Sequence, residues 1–251
     1  MGIEPSRASF SYRSFRFFFQ VFFFIWFRWR VHHRERVPRQ GSVILASNHL
    51  CYFDPVFVVC ALRRMIVGLA RADVFRMFLS RVLLRSWGVI PVDQSGTGRG
   101  LKTFLTRLCA GDAVIMYPEG ARSFTGQIRA PQAGVGLIII KSDAPVVPVK
   151  VFGAFEAYGR HYLFPRPYKI EIKFGEPLDF AELRSEAKKT KDKERLKELY
   201  QQAANDLLHA IATIDPGPDK KKIYENHNTY GKLGRAESGR LGYPPDCRRC
   251  T

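Results

Sequence analysis

Apolar residues in the middle of the chain alternate between short continuous runs and stripes of helical period. Ser42-Val43-Ile44-Leu45-Ala46-Ser47, introduced by Gly41, reads as a fully buried strand. Polar Ser47-Asn48-His49 ends it, and Asp54-Pro55 reads as an N-cap followed by proline at the first helical position, opening a helix from Val56 to Leu62. Met65 to Ala70 is a second strand. Val74, Phe78 and Val82 mark one side of a helix from Val74 to Leu84. Gly88 to Val92 is a third strand, which Pro91 places at an edge or an end. Leu101, Phe104, Leu105 and Leu108 form a helical stripe that stops at Gly111, a C′ glycine. Asp112 to Tyr117 is the fourth strand, Gly134 to Lys141 a helix, and Val146 to Phe152 and Tyr168 to Phe174 are further strands. One charged helix with apolar Leu183, Leu196, Leu199, Leu207, Leu208 and Ile211 is expected from Asp179 to about Ile214. This alternation implies an α/β fold, a mostly parallel or mixed sheet flanked by helices, with ligands at the carboxyl ends of the strands.

The two ends of the chain have different patterns. Residues 1–40 hold eight Arg against two Glu, and nine of the 20 Phe lie between Phe10 and Phe27. The apolar stretch Phe17 to Phe27, interrupted by Gln20, falls short of the ~20 residues a membrane-spanning helix needs. Trp26-Phe27-Arg28-Trp29-Arg30 stands where a signal peptide would have small residues. Aromatic rings flanked by arginines suit the headgroup layer, so residues 1–36 read as an interfacial, monotopic anchor; a helix buried against the domain is the competing reading. Residues 37–214 read as the α/β domain. Residues 215–251, with Lys220-Lys221-Lys222 and no apolar period, read as a basic, disordered tail.

Charge narrows the partners. A formal net charge of +17 calls for an anionic one: nucleic acid, a membrane surface or a phosphorylated substrate. The basic and aromatic interleaving of a nucleic-acid module is absent, which leaves a membrane surface or a phosphorylated substrate; membrane lipids on the cytoplasmic face are the expected partner. Five cysteines do not make a disulfide framework, and Cys247-Arg248-Arg249-Cys250 lacks a second pair for a structural zinc site.

The candidate chemistry lies at two strand ends. His49 sits on a strand-to-helix turn and Asp54 at the helix mouth, so the carboxylate can fold back onto the imidazole and hold one tautomer. Glu119-Gly120-Ala121-Arg122-Ser123 follows another strand and offers a carboxylate, a flexible glycine, a guanidinium and a hydroxyl on one loop. Asn48-His49…Asp54 and Pro118-Glu119-Gly120…Arg122-Ser123, in this order and separation, resemble the PlsC-type glycerolipid acyltransferase family over about residues 35 to 180. The resemblance implies transfer of a fatty acyl group from acyl-CoA or acyl-carrier protein to a lysophospholipid hydroxyl, with no metal or tightly bound cofactor. It makes His49 and Asp54 catalytic and places Glu119, Gly120, Arg122 and Ser123 at the acceptor. Backbone N–H groups of the His49 turn are the expected oxyanion donors. Ala121 stands where the family usually has threonine, and Cys51 where serine is common. Gln94 replaces an arginine that the family uses on the acceptor phosphate, which opens the alternative of another lysolipid or an amino-acid lipid. A non-catalytic, basic membrane-surface module is the remaining alternative.

Overall fold

The computed structural model describes residues 10–76, 81–82, 84, 87–92 and 98–215. Gln94, Phe78 and the basic tail beyond Asp215 lie outside them. Seven strands form one sheet: β1 (Arg30–His32), β2 (Val43–Ser47), β3 (Ile66–Arg71), β4 (Val89–Val92), β5 (Ala113–Met116), β6 (Val146–Phe152) and β7 (Glu171–Phe174), in the order β1-β7-β6-β2-β5-β3-β4. Every neighbouring pair is parallel except β6–β7. Pro91 does lie on an edge strand, β4, where its missing N–H costs no ladder bond.

β2 is central and buried along its whole length because helices cover both faces. Val43 and Leu45 face one core, and Ile44 and Ala46 the other, as the two-residue period of a strand requires. The first core is closed by α1 (Phe10–Phe27) and α2 (Asp54–Ala61), through Phe23, Phe27 and Phe57. The second is closed by α3 (Arg99–Cys109), α4 (Ala133–Lys141) and two C-terminal helices, α6 (Ala181–Lys189) and α7 (Lys193–Thr213), with Ile139, Ala203, Leu207 and Ile211 at its centre.

α4 and α7 approach closely at Gly136, where an added Cβ would stand 1.7 Å from the Tyr200 carbonyl oxygen. A side chain there meets rigid backbone, so the helices must separate. Gly136→Ala should cost at least about 1–3 kcal/mol, read as a lowered urea midpoint at unchanged m-value.

Several elements depart from the sequence expectation. The helix expected over Asp179–Ile214 breaks between Lys189 and Lys193, where Asp192 accepts the Glu194 N–H at 3.0 Å and starts a new helix. The helix expected from Val74 begins as a 3₁₀ turn, Ala72–Phe75. A short helix, α5 (Ala154–Tyr158), and strand β1 had no expectation.

The N-terminal segment has two faces. Inward, Tyr12, Phe23 and Phe27 are buried, and Phe23 lies 4.5 Å from Phe57 between ring centroids. Gln20, an interruption in the sequence pattern, donates to the Cys60 carbonyl at 2.8 Å, and Arg16 donates to that of Leu62 at 2.7 Å. Together they satisfy carbonyls at the end of α2. Outward, Phe10, Phe17, Val21 and Phe24 form an exposed apolar stripe at helical spacing. No helix among the described residues is long and apolar enough to cross a membrane. Residues 10–36 are therefore continuous with the domain: their helix closes a core and residues 30–32 are a strand of the sheet.

Candidate active site

The two motifs meet because β2 and β5 are adjacent and parallel, with Ala46 opposite Met116. Chains leaving the same ends of neighbouring strands start side by side. His49 and Tyr117 stack, with ring centroids 4.1 Å apart and planes 24° from parallel. The two loops are bonded in both directions: the His49 N–H donates to Glu119 Oε1 at 3.0 Å, and the Ser123 N–H donates to the His49 carbonyl at 2.8 Å. On the other side of β2, Asn48 Nδ2 donates to the Val151 carbonyl and Asn48 Oδ1 accepts the Val151 N–H, at 3.0 and 2.8 Å. The backbone at His49 is thus held from both neighbouring strands.

Asp54 is fully buried and saturated. One oxygen, Oδ2, accepts the Leu50 and Cys51 N–H groups and lies 3.0 Å from His49 Nδ1. The other accepts the Cys51 thiol at 3.2 Å. Burial, with the Asp54 charge beside it, pushes the Cys51 thiol well up, so it stays protonated and donates. The expectation of Asp54 as N-cap needs correction. Asp54 is the first residue of α2 after Phe53, and its side chain ties down the preceding turn instead of the helix N–H groups. With Nδ1 committed to the carboxylate, Nε2 is the imidazole nitrogen without a protein partner among the described residues.

The expected oxyanion donors are also corrected. Leu50 and Cys51 N–H point into Asp54, the His49 N–H into Glu119, and the Phe53 N–H to Cys51 Sγ at 3.2 Å. These amides of the turn are spent on holding it.

On the second loop, Glu119 is buried and Ser123 is fully so. Glu119 spans from the His49 amide to the Arg129 amide, at 3.0 and 3.1 Å, and burial raises its pKa against the pull of those two donors. Ser123 Oγ accepts the Thr125 N–H at 3.3 Å. These two expected acceptor contacts are turned into the loop. Gly120 has φ +70°, and a Cβ there would meet Gln132 Cγ at 2.7 Å, so the turn demands glycine.

Arg122 is half-buried, against the neighbouring turn. Its Cζ lies 3.4 Å from the ring centroid of Tyr52, an exposed side chain on the His49 turn. Arg122 Nη1 has no hydrogen-bond partner among the described residues. The flat guanidinium thus lies on a ring face with one buried donor unspent. Tyr52 and Tyr117 had no expected role. Their partners become visible only with the strand order, which puts the two turns together.

The comparisons with known proteins bear on the same residues. The Acyltransferase family model matches residues 28–151, which include both motifs. Those residues form a PlsC-type acyltransferase domain. The domain is similar to 1-acyl-sn-glycerol-3-phosphate acyltransferase of Borreliella burgdorferi, 22% identical over 153 residues, 59% of this chain and 61% of that protein. It is also similar to the enzyme of that name from Limnanthes alba, 26% identical over 140 residues, 54% of this chain and 50% of that protein. The chain therefore spans between half and about three fifths of the length of these relatives. The fold of the acyltransferase domain matches the crystal structure of the LPA acyltransferase PlsC from Thermotoga maritima, with TM-score 0.62 and 19% identity over 82% of this chain and 81% of that one.

Proposed function

We propose that this protein transfers a fatty acyl group from an acyl thioester, acyl-CoA or acyl-carrier protein, to a hydroxyl of a lysophospholipid. The observation that carries this reading is the buried Asp54 carboxylate on His49 Nδ1, which leaves Nε2 as the proton acceptor beside an anion-ready Arg122. The acceptor hydroxyl gives its proton to His49 Nε2 while its oxygen attacks the thioester carbon. The C–S bond then breaks, and the thiolate takes the proton from the imidazolium that Asp54 has stabilised. Tyr117, stacked on the imidazole, places an electron-rich face against that cation. Glu119 and Ser123 act on the acceptor indirectly, by shaping the loop that presents Arg122. Alignment of two bound substrates supplies much of the remaining acceleration.

The same reading places the protein at a lipid surface, held by the outward stripe of α1 and by its positive charge. Arg122 calls for an acceptor with an anionic head. Gln94 stands where the family has an arginine for the acceptor phosphate, so a different lysolipid or an amino-acid lipid is the second reading. A panel of lysolipids offered with labelled acyl-CoA, with products identified, separates the two. Arg122→Ala should lower kcat/KM for the acceptor about ten- to a hundred-fold, with little change in the KM for the thioester. An equal loss toward both substrates would contradict an acceptor role for Arg122, and absence of thioester consumption with every acceptor would remove the enzymatic reading.

A further inference from the structure

The loop that joins α5 to β7 has no part in the chemistry above, yet it stands beside it. β6 runs parallel to β2, so the chain beyond Phe152 leaves the sheet at the same end as His49. Tyr158, at the end of α5, lies 5.7 Å from Tyr52 and 5.3 Å from Phe53 between ring centroids. Just beyond it, the Arg160 guanidinium lies 3.9 Å from the ring of Phe124, on the Arg122 loop. Residues 159–166 thus flank both motif turns.

This loop is built to hold two apolar side chains in water. Its base is closed by the Tyr162 N–H to the Gly159 carbonyl at 3.0 Å and by the Arg166 N–H to the Ala157 carbonyl at 2.8 Å. Arg166 Nη1 also donates to the Tyr162 hydroxyl at 2.8 Å, and Pro165 and Pro167 restrict the backbone on the return. At the tip, Leu163 and Phe164 are 87% and 79% exposed. No Asp or Glu occurs between Gly159 and Lys169, while Arg160, Arg166 and Lys169 do. A pinned loop that displays leucine and phenylalanine among cations is costly in water and favourable where hydrocarbon meets anionic headgroups. Two side chains offer too little apolar area for a stable protein–protein interface.

We propose that Leu163 and Phe164 insert into the interfacial layer of a bilayer rich in anionic phospholipid, with Arg160 and Arg166 on its phosphates. This is a second attachment, separate in the chain from the α1 stripe, and it rests on the membrane reading above. It turns the His49 end of the sheet toward the lipid, so that an acceptor passes from the bilayer to the site without crossing water.

The test uses the full chain and vesicles of phosphatidylcholine with and without phosphatidylglycerol. In Phe164→Trp protein, the emission gained over wild type should shift to the blue on mixed vesicles. Acyl chains brominated near the headgroup should quench it, and pure phosphatidylcholine should give less of both effects. Leu163→Glu/Phe164→Glu protein should bind mixed vesicles at least about tenfold more weakly, the loss expected for leaving two such side chains in water. Its thermal midpoint and its turnover of a short-chain, water-soluble acceptor should stay at wild-type values. Vesicle-bound Phe164→Trp protein whose added emission matches that in buffer would overturn the proposal, as would a double variant that binds like wild type or no binding by wild type. Failure of the acyltransferase reading shows separately, as no turnover of the soluble acceptor while the introduced indole still reports insertion.

Discussion

His49→Ala protein should fold normally and lose turnover by about 10²–10⁴-fold or more, the contribution of a positioned general base. Folding is expected to survive because the residue's structural bonds are main-chain: its N–H to Glu119 and its carbonyl to the Ser123 N–H remain in the variant. The side-chain bond lost is the one to Asp54, which keeps the Leu50 and Cys51 amides and the Cys51 thiol. Release of free thiol from acyl-CoA, measured beside a thermal melt, reads both quantities. Near-normal turnover in a folded His49→Ala protein would sink the mechanism. Asp54→Asn is a less selective probe. It removes the charge that stabilises the imidazolium, but it also places an amide among donors that all need an acceptor, so rate and stability should fall together.

The second large effect separates the two faces of α1. Phe23→Ala and Phe27→Ala each empty a fully buried position in the core that α1 shares with α2. Each should cost about 3–5 kcal/mol, against a typical total stability of about 5–15 kcal/mol. Phe17→Ala and Phe24→Ala remove rings from the outward stripe and should leave the urea midpoint nearly unchanged while lowering the fraction bound to vesicles. Deleting residues 1–30 then has an outcome unlike that of removing a simple anchor: it uncovers Phe57 and takes away Arg30 of β1, so aggregation is expected in place of a soluble domain. A monomeric, folded product of that deletion would show that the inward face carries no stability.

Much of this was legible in the sequence, and what was legible was local. The β2 run, the His49 turn, the Gly111 stop and the Glu119 loop are each fixed by residues within a few positions of one another. Pairing His49 with Asp54 needed only a short turn between them. The stacking of Tyr117 on His49 and of Arg122 on Tyr52 depends on β2 lying beside β5, and no periodicity encodes strand order. β1 escaped notice because Arg30-Val31-His32 is too short and polar to stand out; its pairing with β7 is what makes it a strand. The break after Lys189 hid inside a charged run in which only Thr190 and Asp192 disfavour helix, and Asp192 acts there as the cap of a new helix. The anchor reading rested on the aromatic density of Phe10–Phe27, and composition could not divide those rings between core and surface.

The pairing of Arg30–His32 with Glu171–Lys173 also sets a timetable. During synthesis the aromatic helix and β1 leave the ribosome before the other strands, whereas the strand that must receive β1 comes last in the sheet. Until residue 173 has emerged, β1 has no neighbour to bond with and the N-terminal rings have only part of their core. A nascent chain in that state carries a sticky amphipathic helix until β7 emerges, and contacts of such long sequence separation form late. On the lipid-surface reading proposed above, capture of that helix by a nearby bilayer during translation would shield it from other chains, making attachment an early step of folding and not a consequence of it.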